Sequence, residues 1–226
     1  MADRLRSLQV SDFASLWDEC RRCFYLDVVS GFPRPQRSTA NVVTALDAQM
    51  KARLDGLRTE TISPDLPAGV LECDTRVLES APLDIQVPDG ILRCELRGAL
   101  DAMIKLDDGT FAAIDLELSD PATVRAPVHA RRLQACAHAL EHPASGALAL
   151  GPISRLGVLV FEPRALSTAP LGLRRSLHWI DIPRDESAFF GFLAEALTLL
   201  DQPAPPGGAP LCPWCVYRDA SRRTGL

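Results

Sequence analysis

Two Cys-x-x-Cys pairs stand near opposite ends of the chain, Cys20-Arg-Arg-Cys23 and Cys212-Pro-Trp-Cys215. Two intervening residues let a tight turn or a helix start point both sulfurs at one ion, and two such pairs supply four thiolate ligands. Closing that centre forces the two ends of the chain together. Residues 201–210, Asp-Gln-Pro-Ala-Pro-Pro-Gly-Gly-Ala-Pro, cannot hold regular structure and read as a linker. The sixteen residues beyond, 211–226, have no core of their own, so Cys212, Trp214, Cys215 and Tyr217 must be tied to the main body. A metal shared with the first helix is the simplest tie. The other three cysteines, Cys73, Cys94 and Cys136, lie alone in apolar or strand-like surroundings and read as small buried side chains.

With 226 residues, 47% hydrophobic and 23% charged, the chain has the means to bury one sizeable core. One domain over 1–200 is expected, followed by the linker and a cysteine knuckle over 211–226. No apolar run approaches the ~18 residues needed to span a bilayer, and Met1-Ala-Asp-Arg lacks the basic-then-apolar order of a secretory signal. The expectation is a cytoplasmic protein with no membrane partner, in which a disulfide framework is out of place. A net charge of −5 excludes a protein that coats nucleic acid without specificity. Local contact remains open through arginine pairs at 21–22, 131–132, 174–175 and 222–223; lysine occurs only at 51 and 105.

Helical spacing over 11–30, with Ser11 as cap, and over 38–57 predicts two helices at the front, with loop over 62–68. Strands are expected over 70–78, 92–106 and 110–118, then a helix over 125–141, strands over 155–161 and 176–182, and a last helix opened by Asp185 or Ser187 and ending near 200. Asp107-Asp108-Gly109 between two alternating runs predicts a hairpin.

That hairpin carries the acids. If its loop has three residues, with Gly109 in the left-handed position, Leu106 pairs with Thr110 and Asp101 comes level with Asp115. Glu117, two residues on, shares the face of Asp115. Three carboxylates so gathered repel one another, and Mg²⁺ or Mn²⁺ is the usual remedy and a means of phosphodiester hydrolysis. A two-residue loop would instead turn Asp101 away, and the same spacing also suits polar positions on a half-exposed strand.

Taken in order, these features resemble the PD-(D/E)XK nuclease superfamily, in particular its RecB-like branch with a cysteine cluster. Leu8 to Ser11 and Cys20 to Leu26, followed by Gly31-Phe-Pro-Arg-Pro35, look like its entry helix. Gly98-Ala-Leu-Asp101 resembles its first acidic strand, Ile114-Asp115-Leu116-Glu117 its Asp-x-Lys strand, and the helix with Arg131, Arg132 and Gln134 its Gln-motif helix. Cys212-x-x-Cys215-x-Tyr217-Arg218 is similar to its C-terminal knuckle.

The resemblance implies an α/β fold with a central mixed β-sheet flanked by helices, restriction-endonuclease-like, closed by a four-cysteine clasp. It implies a metal-dependent DNA nuclease or a diverged, weakly active relative, with Asp101, Asp115 and Glu117 on Mg²⁺ or Mn²⁺, and Gln134, Arg131 and Arg132 positioning DNA. It also implies a [4Fe-4S] cluster on Cys20, Cys23, Cys212 and Cys215, a set that by spacing suits Zn²⁺ equally. Protein partners would belong to DNA repair or defence. Glu117 departs from the family by standing where it has a catalytic lysine. Lys105 lies four residues from Asp101 along one strand, ~13 Å and out of reach. His138 replaces the tyrosine that often follows the glutamine, and Ser221 stands where the branch has a further cysteine. The alternative is a catalytically inactive nuclease-like module that binds DNA or protein.

Overall fold

The computed structural model describes residues 5–13, 16–35, 41–168 and 171–224. A short strand, β1 (Arg6–Gln9), leads through a 3₁₀ turn at Val10–Phe13 into α1 (Leu16–Glu19) and α2 (Arg21–Ser30). The single helix expected over 11–30 is therefore broken, and the break falls at Cys20, whose φ of −166° and ψ of 107° are extended. Then come α3 (Asn41–Leu54) and the one-turn α4 (Thr59–Ile62). The strands β2 (Gly69–Glu72), β3 (Arg76–Glu79), β4 (Leu83–Val87), β5 (Gly90–Leu100), β6 (Ala102–Leu106) and β7 (Phe111–Leu118) follow. The chain continues through α5 (Ala126–Glu141), β8 (Ile153–Thr168), β9 (Leu171–Ile182), α6 (Glu186–Leu200) and α7 (Pro213–Arg223). None of the described helices is long and apolar enough to cross a membrane.

The molecule is α/β, but its strands form two mixed sheets where one central sheet is expected. The first has the order β1-β5-β3, with β4 also on β5; the second runs β2-β6-β7-β8-β9. In each, one parallel pair, β1 with β5 or β7 with β8, is joined to antiparallel neighbours. The expected strand over 92–106 breaks at Asp101. Its antiparallel companion over 69–79 breaks at the same level, since Glu72 pairs with Met103 and Arg76 with Leu100. A strand that long accumulates twist, and here both partners swing together from one sheet into the other.

The hairpin forms in the register expected of a three-residue loop. Leu106 donates to the Thr110 carbonyl at 2.9 Å, Gly109 has φ of +86°, and Ala102 pairs with Ile114. A positive φ is strained for any residue with a side chain, which is why glycine ends the turn. β4 lies in a segment that its prolines made look irregular. Pro82 and Pro88 bound the strand without entering it, and Leu83, Ile85 and Val87 are buried in alternation with exposed Asp84 and Gln86.

β7 and β8 lie in the middle of their sheet and are covered on both faces. Ala113, Val158 and Val160 join a large core with α1, α2, α5, α6 and the first sheet. Ala112, Ile114, Leu159 and Phe161 join a smaller one with Leu54, Leu66 and Leu71. α3 meets that smaller core at its C-terminal end, through Leu54 and Met50, while Val42 and Val43 near its start are exposed. α5 packs on β5, β7 and β8, and so touches both sheets.

Near the C-terminus of α5, His138 stacks on His142, with ring centroids 4.6 Å apart, and meets the edge of Phe190 at 5.6 Å. Burial, with the neighbouring His142, pulls its pKa down from 6.5 to about 4. The folded protein thus holds His138 neutral where the unfolded chain binds a proton, so stability falls as pH drops from about 6.5 towards 4. A His138→Gln variant should show a flatter fall of the denaturant midpoint across that window than the parent protein.

Candidate functional site

The two cysteine pairs meet. Cys20 and Cys212 each cap the start of a helix, α2 and α7, with extended backbone, and Cys23 and Cys215 sit one turn inside. Both helices aim the positive ends of their dipoles at the sulfurs, which favours thiolates. The Sγ atoms of Cys20 and Cys215 are 3.6 Å apart, and Cys23 lies 3.7 Å from both Cys212 and Cys215. All four fall within 4.8 Å of one another and are buried.

Three outer donors complete the site. Arg34 Nη2 reaches Cys212 Sγ at 3.4 Å, Arg218 Nη2 reaches Cys215 Sγ at 3.5 Å, and the Ala209 amide reaches Cys20 Sγ at 3.5 Å. Burial opposes ionisation of Cys20, yet the Ala209 and Cys23 amides and the adjoining thiols bring its pKa down to about 6. Such N–H groups on sulfur orient and charge-balance thiolate ligands, and the donor set fits a metal centre. Segment 201–210 is irregular, as expected, but it is not free. The Tyr25 hydroxyl donates to the Gln202 carbonyl at 2.8 Å, and a Cβ on Gly208 would meet Cys215 Cβ at 2.8 Å. Cys73, Cys94 and Cys136 are buried away from the clasp, and burial raises each thiol to about 12.

The acids also draw together, around a cation of the protein itself. Asp101 lies one step beyond the last β6–β7 pair, at the junction of the sheets, level with Asp115 in the middle of β7. Arg132, on α5, donates through Nη1 to Asp115 Oδ1, and through Nη2 to Asp101 Oδ2 at 3.4 Å and the Ala99 carbonyl at 3.2 Å. His129, one turn earlier on the same face, lies 2.9 Å from the other Asp115 oxygen, and Asp115 is only 2% exposed. Lys51 from α3 donates to Asp101 Oδ1 at 3.2 Å and also pairs with Asp47. Burial would lower the pKa of Arg132 and of Lys51, but Asp115 and Asp101 respectively hold each above its ordinary value, so both remain charged.

The side chain of Glu117, partly buried, makes no hydrogen bond or ion pair among the described residues. The three carboxylates do not close to within 4.8 Å of one another; among the described residues, only the cysteines form such a group. Carboxylate oxygens are the right donors for Mg²⁺ or Mn²⁺, but those of Asp101 and Asp115 are already taken. A divalent ion fits here only if Arg132 withdraws.

Gln134 and Arg131 point elsewhere. Two residues beyond Arg132 is ~200° around a helix, so Gln134 faces away from the acids. With Arg131 it lines a second cleft with Trp17, Phe189 and Phe192. Gln134 is 3% exposed, and its Oε1 has no partner among the described residues. Arg131 is bound to Asp18 at 2.6 Å and to the Phe13 carbonyl at 3.3 Å. The expected set therefore divides: Asp101, Asp115 and Arg132 meet, Gln134 and Arg131 form a separate group, and Lys51 and His129 join the first unforeseen. The one available hint for Lys51 was the scarcity of lysine.

No protein-family model matches the chain, and no curated protein matches it. Among solved structures it is similar to one titled "Crystal structure of SSO0001", at 15% identity over 91% of this chain and 81% of that one, with a TM-score of 0.47.

Because the linker backbone rests on Cys215, Gly208→Ala should push the tail off the clasp. Lower metal content in the purified protein and faster proteolysis within 201–210 are expected, and unchanged values of both would show that the contact is unimportant.

Proposed function

We propose that the chain is a metal-dependent deoxyribonuclease of the PD-(D/E)XK kind, or a relative diverged to weak activity, with a thiolate metal centre as its structural staple. The observation that carries this reading is the hairpin register. It brings Asp101 level with Asp115 on either side of one guanidinium, so that two carboxylates converge on the point that Arg132 occupies. A divalent ion on such carboxylates polarises a phosphodiester and lowers the pKa of the attacking water. Asp101, Asp115 and Glu117 would hold it.

The second reading, an inactive module that binds DNA or protein, is favoured by Glu117 in the place of lysine and by Arg132 between the two aspartates. The discriminating assay incubates purified protein, clasp intact, with single- or double-stranded DNA and Mg²⁺ or Mn²⁺. Cleavage that Asp115→Ala lowers by at least ~100-fold supports the nuclease; no such cleavage leaves the inactive module.

For the clasp, two observations favour two occupants. Three of the six sulfur pairs, at 3.6–3.7 Å, lie near the roughly 3.8 Å edge of a thiolate tetrahedron around one Zn²⁺ at about 2.3 Å, and all fall within 4.8 Å. The family resemblance favours [4Fe-4S], in which each thiolate binds a different iron and the sulfurs stand further apart. In either case the metal ties α7 to α2 and takes no part in hydrolysis. Anaerobic purification followed by metal analysis and visible absorption decides: iron with brown colour means the cluster, zinc in colourless protein the single ion. Absence of both metals would overturn the centre itself.

A further inference from the structure

Arg132 separates the acids from an open cleft of about 520 Å³ bordered by Gln9, Ser11, Glu79, Arg97, Ala99 and Arg132 itself. Arg132 is thus shared between the acid cluster and the cleft. On the acid side it holds Asp115 closely and Asp101 at a long 3.4 Å. On the cleft side the remaining charges are matched within the protein, since Arg97 pairs with Glu79 at 2.8 Å and with Glu95 at 2.9 Å. Arg132 is the cation that touches both the acids and the cleft. Its departure would not strand both acids: Lys51 stays on Asp101 and His129 on Asp115.

We propose that Arg132 is a displaceable internal counter-ion, which makes divalent-metal binding at Asp101 and Asp115 conditional on a nucleic-acid phosphate arriving in the cleft. This rests on the nuclease reading and adds a means of control to it. A guanidinium and a divalent ion compete for the same carboxylate oxygens, so metal alone must evict a buried, paired arginine. A phosphodiester gives the guanidinium another planar anionic partner, with the fork geometry that arginine matches. Metal and phosphate therefore both favour the state with Arg132 turned out, and each tightens the binding of the other. Linkage requires the effect to be reciprocal. Without nucleic acid the site binds metal only weakly.

The test measures Mn²⁺ affinity from the electron paramagnetic resonance signal of free Mn²⁺. It uses the clasp-intact protein with and without a cleavage-resistant phosphorothioate oligonucleotide, after subtracting the ion bound by the oligonucleotide alone. Wild type should bind Mn²⁺ weakly by itself and more than about fivefold more tightly with the oligonucleotide. Arg132→Gln should bind tightly without it and gain less than about twofold on its addition. Asp115→Asn, which removes a ligand, defines the background. Mn²⁺ binding above that background with equal affinity in all four conditions would overturn the role of Arg132 and leave the acidic metal site standing. No binding above background in any of them would overturn both. Should Arg132→Gln not fold, the wild-type comparison with and without oligonucleotide decides alone.

Discussion

A partly buried guanidinium ties the two sheets together at their junction. Arg132 reaches the Ala99 carbonyl in β5 of the first sheet, Asp101 at the crossing between sheets, and Asp115 in β7 of the second, all from a helix packed on both. Asp115 has lost almost all its hydration and needs a partner to stay charged, whereas Asp101 keeps part of its contact with solvent. Together they form a satisfied unit, and the twist that carries strand 90–106 from one sheet to the other has a fixed point at Asp101.

The clasp does a different job at the far end of the large core. α7 exposes most of its surface, burying Cys215 within its length and Cys212 at its cap, so apolar packing contributes little to holding it. Thiolates at two helix starts, with amide and guanidinium donors around them, can supply what packing does not. The ion pair of Arg22 with Asp219 at 3.2 Å adds a weaker second contact between the same two helices. Neither arrangement needs the other locally: one organises a site at the sheet junction, and the other closes the ends of the chain.

Local chemistry made much of this legible. The Asp107-Asp108-Gly109 turn has few backbone solutions, so its residues left two registers open, and the structure takes the three-residue one that puts Asp101 level with Asp115. The Cys-x-x-Cys spacing matched a helix start because the cap and the residue one turn inside point the same way. Buried Cys73, Cys94 and Cys136 were recognisable from their apolar neighbours. By contrast, Lys51 arrives from a helix fifty residues before its partner Asp101, and no local pattern records that approach.

What the sequence determined by itself, then, was what short-range geometry controls: the place of the turn, the start of α6 at Asp185, and the strand face that Asp115 shares with Glu117; the cap expected at Ser11 gave way to a 3₁₀ turn. Only the tertiary structure decided that the strands divide into two sheets, that α5 turns Arg132 and His129 to the acids and Gln134 away, and that the acids meet a guanidinium. The physical reason is that burial and charge compensation depend on every element converging on a point. A carboxylate chooses among the cations that packing brings within reach, whatever their distance along the chain.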